Sequence, residues 1–272
     1  WEIRPIKGKD LGVVASVNYN VGDLIISEKP IFTCSIGPHT SLDDLTSEIN
    51  DKLKSIDENS RSQFWDLTDC HINEEGSKKK TALGIFQTNS HPCGFKHRAQ
   101  KSGILPLICR INHSCCPNSS HSWNEVRKEQ TIYASKMIKK GEEITITYRD
   151  NFGSADERKK ELQSFWRFQC RCPACHCDSS ICSEDDFKER DKRRVQIQKL
   201  DTLIYNAISS GNYKLGIGFV EKRLSLLEIE GEDTPKELMK SEYDAYQACC
   251  HSEDDEGKKK WLKLALRDAL LA

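Results

Sequence analysis

The sequence lacks long apolar runs, and no stretch approaches the roughly 18 consecutive apolar residues that a membrane-spanning helix requires. It also lacks an excess of one charge, because 41 basic and 42 acidic residues give a net charge of -1. This balance provides no global attraction to nucleic acid or to an anionic membrane. We therefore expect neither membrane association nor direct sequence-specific binding of nucleic acid.

The chain also lacks the marks of a secreted protein. Its first residues, Trp1 to Arg4, contain no initiator Met and no signal-peptide pattern, so we expect a trimmed chain. Cysteine is abundant instead, with 13 residues, of which five fall between positions 170 and 182. An odd cysteine count without a signal peptide favours metal binding in a reducing compartment over a disulfide scaffold. The expected location is intracellular, in the nucleus or the cytoplasm.

Local patterns divide the chain into β-rich and helical parts. Short β-branched runs separated by turns occupy residues 1–35 and 84–150 and predict strands. Residues 36–83 and 183–272 show the apolar spacing of helices instead. We therefore predict an α+β fold that ends in an all-helical array.

Two helix starts are marked by particular residues. Ser154 with Glu157 has the spacing of a capping box. Thr234-Pro235 with Glu237 combines a cap residue, an N1 proline and a second capping box. We expect helices to begin at both positions.

Three cysteines have the spacing of metal ligands. Cys170, Cys172 and Cys175 lie in the sequence Cys-Arg-Cys-Pro-Ala-Cys, and thiolates at this spacing can converge on one tetrahedral zinc. The candidates for a fourth ligand are Cys177, Cys182, His176 and a residue distant in sequence. A redox dithiol formed by Cys172 and Cys175 is the competing interpretation, which the crowding by other cysteines disfavours. Six other cysteines are interpreted as small buried hydrophobic residues: Cys34, Cys70, Cys93, Cys109, Cys249 and Cys250.

A second group of polar residues lies upstream of these cysteines. Residues 112–118 read Asn-His-Ser-Cys-Cys-Pro-Asn, which alone is a weak signal, because a single histidine is more often structural than catalytic. The order of the motifs along the chain makes this signal stronger. They precede the segment Gly-Glu-Glu-Ile-Thr-Ile-Thr-Tyr at 141–148, which in turn precedes the cysteine cluster.

These three ordered motifs resemble the SET domain followed by its post-SET zinc module. Residues 8–15 resemble the family's first cofactor loop, and Thr88-Asn89-Ser90 resembles its Asn-bearing segment. The resemblance covers residues 1 to about 177, and a following helical region is typical of the SMYD subfamily and its fungal relatives. The MYND zinc finger of that subfamily is absent. The implied domains are a SET domain at 1–35 and 84–150, a helical insert at 36–83, a post-SET zinc module at 151–182 and a TPR-like C-terminal helical domain at 183–272.

The resemblance implies an S-adenosylmethionine-dependent methyltransferase that acts on a lysine of a histone or non-histone protein. Tyr148 is then the catalytic residue, with its hydroxyl at the transferring methyl group, and Trp166 lines the substrate channel. The implied cofactor residues are Lys9, Asp10, Leu11, Gly12, Asn89, Asn112, His113, Tyr148 and Phe168. By the same resemblance, Cys115 joins Cys170, Cys172 and Cys175 as the fourth zinc ligand.

One departure from the family pattern supports a different function. Asp10 stands where the cofactor loop usually has Gly, and it would disturb the loop if that position required a positive φ. The alternative is therefore a catalytically impaired SET-fold scaffold or binding module. In either case the expected partner is a lysine-bearing protein or peptide, and the chain is expected to be a monomer.

Overall fold

The computed structural model describes residues 1–72, 79–94, 100–149, 152–177 and 182–272. The strands are β1 (Glu2–Pro5), β2 (Leu11–Val14), β3 (Leu24–Glu28), β4 (Phe32–Ser35), β5 (His91–Pro92), β6 (Lys101–Ile104), β7 (Asn112–His113), β8 (Ser119–Asn124), β9 (Glu129–Ala134) and β10 (Glu143–Ile146). The helices are α1 (Leu42–Ser55), α2 (Glu58–Asp66), α3 (Ala82–Asn89), α4 (Ala155–Trp166), α5 (Glu184–Ser209), α6 (Tyr213–Glu230), α7 (Pro235–His251) and α8 (Asp255–Ala269), with a 3-10 turn at Ile108–Arg110. The predicted α+β class is confirmed.

The strands form small sheets, and those that contain β2, β3, β9 and β10 enclose one apolar core. Their orders are β1-β2-β10-β7, β3-β9-β8 and β4-β6-β5. Strands β7 and β10 run parallel, with Asn112 opposite Thr145 and His113 opposite Ile146. This pairing brings the polar motif at 112–118 beside the motif at 141–148. The apolar core includes Val13 of β2, Ile132 of β9 and Ile144 of β10, none of which has exposed surface.

The first helices pack on the sheet formed by β4, β6 and β5. Ser41, Asp57 and Thr81 cap α1, α2 and α3 with their side chains. A second apolar cluster then joins these helices to the sheet through Phe32 and Phe64, whose ring centroids lie 5.6 Å apart. The predicted insert boundary at residue 83 falls inside α3, so the domain limits stay a prediction.

Helix α4 leads directly into the cysteine cluster. It begins with the capping box predicted at Ser154 and Glu157. Its C-cap residue, Arg167, adopts a left-handed conformation with φ 57° and turns the chain sharply. The turn separates Trp166, the last residue of the helix, from Phe168 and the cysteines that follow.

The C-terminal helices form the predicted helical region, in which α5 packs on α6, α6 on α7 and α7 on α8. Their common core contains Leu200, Ile204, Val220, Ala245, Cys249 and Trp261. Pro235 occupies the N1 position of α7 as predicted, but the capping box there is wrong. The Glu237 carboxylate binds the buried Arg223 guanidinium instead. Leaving a buried guanidinium without an anionic partner costs more free energy than leaving a helix N-terminus without a nearby carboxylate.

Two further results concern chain-wide expectations. Within the described parts of the chain, none of the helices has the length and apolar character needed to span a bilayer. The six cysteines interpreted as hydrophobic residues divide into two groups. Cys34 and Cys249 are fully buried, whereas Cys70, Cys93, Cys109 and Cys250 are half-buried.

Candidate active site and metal centre

A cavity of about 1870 Å³ lies between the N-terminal loop, the β7–β10 pair and the segment after α4. Its wall contains most of the residues predicted from the motifs, namely Lys9, Asp10, Leu11, Asn89, Asn112, His113, Tyr148, Trp166 and Phe168. Gly12 lies behind this wall, against the side chain of Asn112. Residues from distant parts of the sequence therefore meet at one site, while their individual roles stay a prediction.

The N-terminal loop is a tight turn that opens toward the cavity. The Ile6 amide donates to the Asp10 carbonyl, and the Lys9 amide donates to the Ile6 carbonyl, both at 3.0 Å. Gly8 supplies the positive φ, at 77°, that this turn needs. Among the described non-glycine residues, φ is positive only at Lys128, Arg167 and Glu253. Asp10 thus causes no backbone strain, which removes the observation that favoured an impaired scaffold.

Glu143 links this loop to β7, a role that the sequence motif did not reveal. One carboxylate oxygen accepts from Asn112 Nδ2 at 2.8 Å, and the other binds Lys9 Nζ at 2.7 Å. Asn112 Nδ2 also donates to the Leu11 carbonyl at 3.0 Å. The only signal for this role in the sequence was the position of Glu143 as the second glutamate of the 141–148 motif. The spacing of a motif does not show which residues a side chain contacts in the folded chain.

Gly12 is expected to be intolerant of a side chain. A Cβ at this position would lie 2.6 Å from Ile6 Cγ1 and 2.7 Å from Asn112 Nδ2. Such overpacking costs about 1–3 kcal/mol, so the Gly12→Ala variant should lose that much unfolding free energy in a denaturant titration. Gly218 of α6 is the matched control, because its Cβ would meet nothing within 4 Å. Gly218→Ala should be neutral or slightly stabilising, and equal losses in both variants would contradict the close approach at Gly12.

Tyr148 lies at the centre of an aromatic group. Its ring centroid is 5.3 Å from that of His113, 5.4 Å from that of Trp166 and 6.4 Å from that of Phe168. Its hydroxyl donates to the Ile111 carbonyl at 2.7 Å. Burial, and then the nearby Cys109 and Glu143, raise the pKa of Tyr148 above its ordinary value. The phenol therefore stays protonated at neutral pH.

His113 connects Tyr148 to the cysteine cluster. The Tyr148 backbone amide donates to His113 Nδ1 at 3.0 Å, so a neutral ring carries its proton on Nε2. That nitrogen lies 3.3 Å from Cys115 Sγ and can donate to it. Burial lowers the pKa of His113 to about 4, which keeps the ring neutral.

The structure brings Cys115 to the three cysteines with metal-ligand spacing. The sulfur atoms of Cys115, Cys170, Cys172 and Cys175 all lie within 4.8 Å of one another, and Cys115 is 3.5 Å from Cys175. A zinc ion with Zn–S bonds of about 2.3 Å separates tetrahedral sulfurs by about 3.8 Å, so the cluster fits a zinc site with four cysteine ligands. Contacts with Cys170, Cys172 and Cys175 strongly raise the pKa of the Cys115 thiol. Four thiols this close do not all ionise without a cation between them.

The local candidates for a fourth ligand lie outside this group. Cys177 Sγ is 3.4 Å from Cys182 Sγ, so these two residues form a separate pair. His176 is likewise not among the four clustered residues. The Cys172-x-x-Cys175 dithiol is part of the four-sulfur cluster, which weakens the redox interpretation.

The β architecture, the paired motifs at β7 and β10 and the adjoining four-cysteine cluster define a SET domain. The SET domain family matches residues 10–149, more than half of the 272 residues, and the chain belongs to this family. The resemblance inferred from the motifs is therefore confirmed.

Particular relatives extend the comparison beyond the SET domain. The chain is 31% identical over 204 residues to Histone-lysine N-methyltransferase set5 of Schizosaccharomyces pombe, which covers 74% of this chain and 57% of the relative. It is 42% identical over 81 residues to human Protein-lysine N-methyltransferase SMYD4, covering 29% of this chain and 10% of the relative. It is 32% identical over 99 residues to human N-lysine methyltransferase SMYD2, covering 36% and 20%. The chain thus spans little more than half of the yeast relative and less of the others.

Proposed function

We propose that this chain is a protein-lysine N-methyltransferase that uses S-adenosylmethionine. The observation that carries the proposal is the aromatic group around Tyr148, which lies between the β7–β10 motifs and a four-cysteine cluster within a SET domain. Relatives named as lysine methyltransferases support the same activity. The proposed substrate is therefore a lysine side chain of a histone or non-histone protein.

The cofactor-binding role is assigned to residues of the cavity wall. We assign the methionine end of S-adenosylmethionine to the backbone of residues 9–12 with Asn89, Asn112 and His113, and its adenine to the ring of Phe168. When bound, this cofactor supplies the methyl group. The amide nitrogen of Asn89 already donates to the Ile85 and Thr68 carbonyls, so its side-chain oxygen is the atom that we assign as an acceptor for the cofactor. Glu143 holds Lys9 and Asn112 in fixed positions for this task.

Tyr148 and Trp166 are assigned to the substrate lysine. Their ring centroids lie 5.4 Å apart, so the two rings contact each other and form one aromatic wall, against which the aliphatic stem of a lysine can pack and which can attract its ammonium group. The substrate ammonium would have to lose its proton first, and the two rings would then align the neutral amine in line with the methyl group that the cofactor would supply as its bond to sulfur breaks. Tyr148 acts as the catalytic residue by orienting the reacting groups through its hydroxyl, while the surrounding rings exclude water.

The metal role is assigned to Cys115, Cys170, Cys172 and Cys175, which would hold a structural zinc. The ion would supply a mechanical link, because it joins the turn after β7 to the segment that follows Phe168. No step of the reaction requires it as a Lewis acid. The monomeric state and the nuclear or cytoplasmic location stay predictions.

The activity is tested by incubating the chain with S-adenosylmethionine carrying a labelled methyl group and a panel of histones and cell-lysate proteins. Label is expected on lysine side chains, and calorimetry is expected to detect binding of the cofactor alone. Cofactor binding without transfer to any protein would point to the binding-module alternative. Absence of both would contradict the proposed function.

A further inference from the structure

Two fully buried arginines contact the four-cysteine cluster from helices outside it. Arg158 of α4 has no exposed side-chain surface, and its Nη2 lies 3.7 Å from Cys175 Sγ. The same guanidinium donates to the carbonyls of Gly153 and Ala174. Arginines are almost never buried this completely unless they have a charged or strongly polar partner. The thiol of a predicted metal ligand is one of the partners here.

The second arginine comes from the C-terminal helices. Arg194 of α5 is 1% exposed and donates to the Cys115 carbonyl from Nη1 at 3.2 Å and from Nη2 at 3.3 Å. Its Nη2 is also 3.2 Å from Cys116 Sγ. Both bonds hold the turn that carries Cys115. Because α5 lies beyond the residues matched by the SET family, this contact ties the cluster to a different part of the chain.

The charges around the cluster complement a zinc-thiolate centre. Four thiolates and one Zn²⁺ carry a net charge of about -2, and burying that charge is costly unless it is offset. In the described part of the chain, two separate groups of ion pairs lie around Arg158 and Arg194, the first formed by Arg158 with Asp191 and the second by Arg194 and its neighbours with Glu230 and Glu232. The cations are Lys136, Arg158, Arg190, Arg193 and Arg194, and the carboxylates are Asp191, Glu230 and Glu232. Of these cations, Arg158 contacts a ligand sulfur directly, because its Nη2 lies 3.7 Å from Cys175 Sγ, where its positive charge offsets that of the thiolates.

We propose that Arg158 and Arg194 are positioning residues of the metal centre, Arg158 by offsetting the charge of the zinc-bound thiolates and Arg194 by fixing the Cys115 turn to α5. This inference rests on the proposed zinc site. It makes retention of the metal depend on the C-terminal helices as well as on the four ligands. Groups that orient or neutralise metal ligands in this way typically change metal affinity by about 10–100-fold when they are removed.

Arg223 of α6 provides a matched control for the loss of a buried guanidinium. It is 1% exposed, and it pairs with the carboxylates of Asp201 at 2.8 Å and Glu237 at 2.5 Å. It also lies 5.8 Å from the Phe152 ring centroid, as Arg194 lies 5.6 Å from the same ring. Its described partners contain no cysteine. Arg194→Met and Arg223→Met therefore both break a buried ion-pair network, but only the former removes a contact to the cluster.

The experiment measures zinc retention in the full, zinc-loaded chain. Zinc release to an excess of a chromogenic chelator is followed for the wild type and for the Arg158→Met, Arg194→Met and Arg223→Met variants, and each melting temperature is recorded. All three variants are expected to melt at lower temperature. Only Arg158→Met and Arg194→Met are expected to release zinc faster, by about tenfold or more. Arg158→Lys, which keeps the positive charge, should release zinc more slowly than Arg158→Met.

Several outcomes would overturn the inference. Wild-type release rates in Arg158→Met and Arg194→Met would do so, as would equal acceleration in Arg223→Met, which would indicate general loosening of the fold. If the methionine variants do not fold, wild-type release rates in the neutral but polar Arg158→Gln and Arg194→Gln variants would also contradict it. A wild-type chain that binds no zinc would overturn the metal site itself. Methyl transfer is not part of the readout, so failure here is distinct from failure of the proposed activity.

Discussion

Replacing Tyr148 by Phe is expected to lower kcat for methyl transfer by about 100- to 1000-fold, the loss typical of removing one preorganised polar group at a reacting centre. Phenylalanine keeps the ring contacts with His113, Trp166 and Phe168 but lacks the hydroxyl that donates to the Ile111 carbonyl. The dissociation constant for S-adenosylmethionine should therefore change little. A steady-state assay with labelled cofactor and calorimetry on the same preparation measure the two quantities separately.

The pH profile adds a second expectation for this variant. Because burial raises the pKa of Tyr148, its hydroxyl stays protonated below about pH 10, the ordinary tyrosine pKa. The rate of the wild type should rise with pH toward the lysine pKa of about 10.4, without a fall caused by tyrosine ionisation. The Tyr148→Phe variant should follow a parallel profile at a lower level. A loss that disappears at high pH would contradict the role of the protonated hydroxyl.

Tyr19 offers a control for the loss of a phenolic hydroxyl. It packs against the same apolar core as Tyr148, and its hydroxyl is 3.3 Å from the N-terminal amine, away from the residues assigned to the reaction. Tyr19→Phe should leave kcat unchanged. If Tyr148→Phe keeps full activity, or if it loses cofactor binding as well, the proposed catalytic role is wrong.

The sequence motifs predicted the wall of the cavity because each motif is short and keeps its residues close together. Spacing alone indicates that one metal ion is shared by Cys170, Cys172 and Cys175. The spacing gave no such indication for Cys115, since it is 55 positions upstream of Cys170 and meets the other three cysteines only in the folded chain. Only the family resemblance pointed to it. The β-rich and helical parts were also visible, because their periodicities differ.

The sequence did not reveal which charged residues are buried. Arg158 and Arg194 lie in helices rich in charged residues, where the ordinary expectation is a solvated face, yet both are enclosed. Their partners come from other elements, so no local pattern identifies them. Glu237 shows the same limit, because its capping-box spacing was correct but Arg223 attracts it elsewhere. Long-range charge pairing overrides local signals at each of these positions.

Removing the proposed structural zinc is expected to have the largest structural effect. Structural zinc sites contribute roughly 10–16 kcal/mol of apparent binding free energy in small zinc-finger peptides. Even a fraction of that free energy is enough to decide whether one short segment of a chain is ordered. In this chain the four cysteines join the turn after β7 to the segment that carries Trp166 and Phe168. The Cys115→Ser variant should therefore lose zinc, melt at lower temperature and bind S-adenosylmethionine at least about tenfold more weakly.

Cys250 is the matched control, because it is a half-buried cysteine of α7 outside the cluster. Cys250→Ser should keep one zinc per chain and an unchanged cofactor affinity, as measured by metal analysis and calorimetry. Treating the wild type with a strong chelator should reproduce the Cys115→Ser phenotype, and adding zinc back should reverse it. If Cys115→Ser retains zinc and cofactor affinity, the fourth ligand is a local residue such as His176 or Cys177.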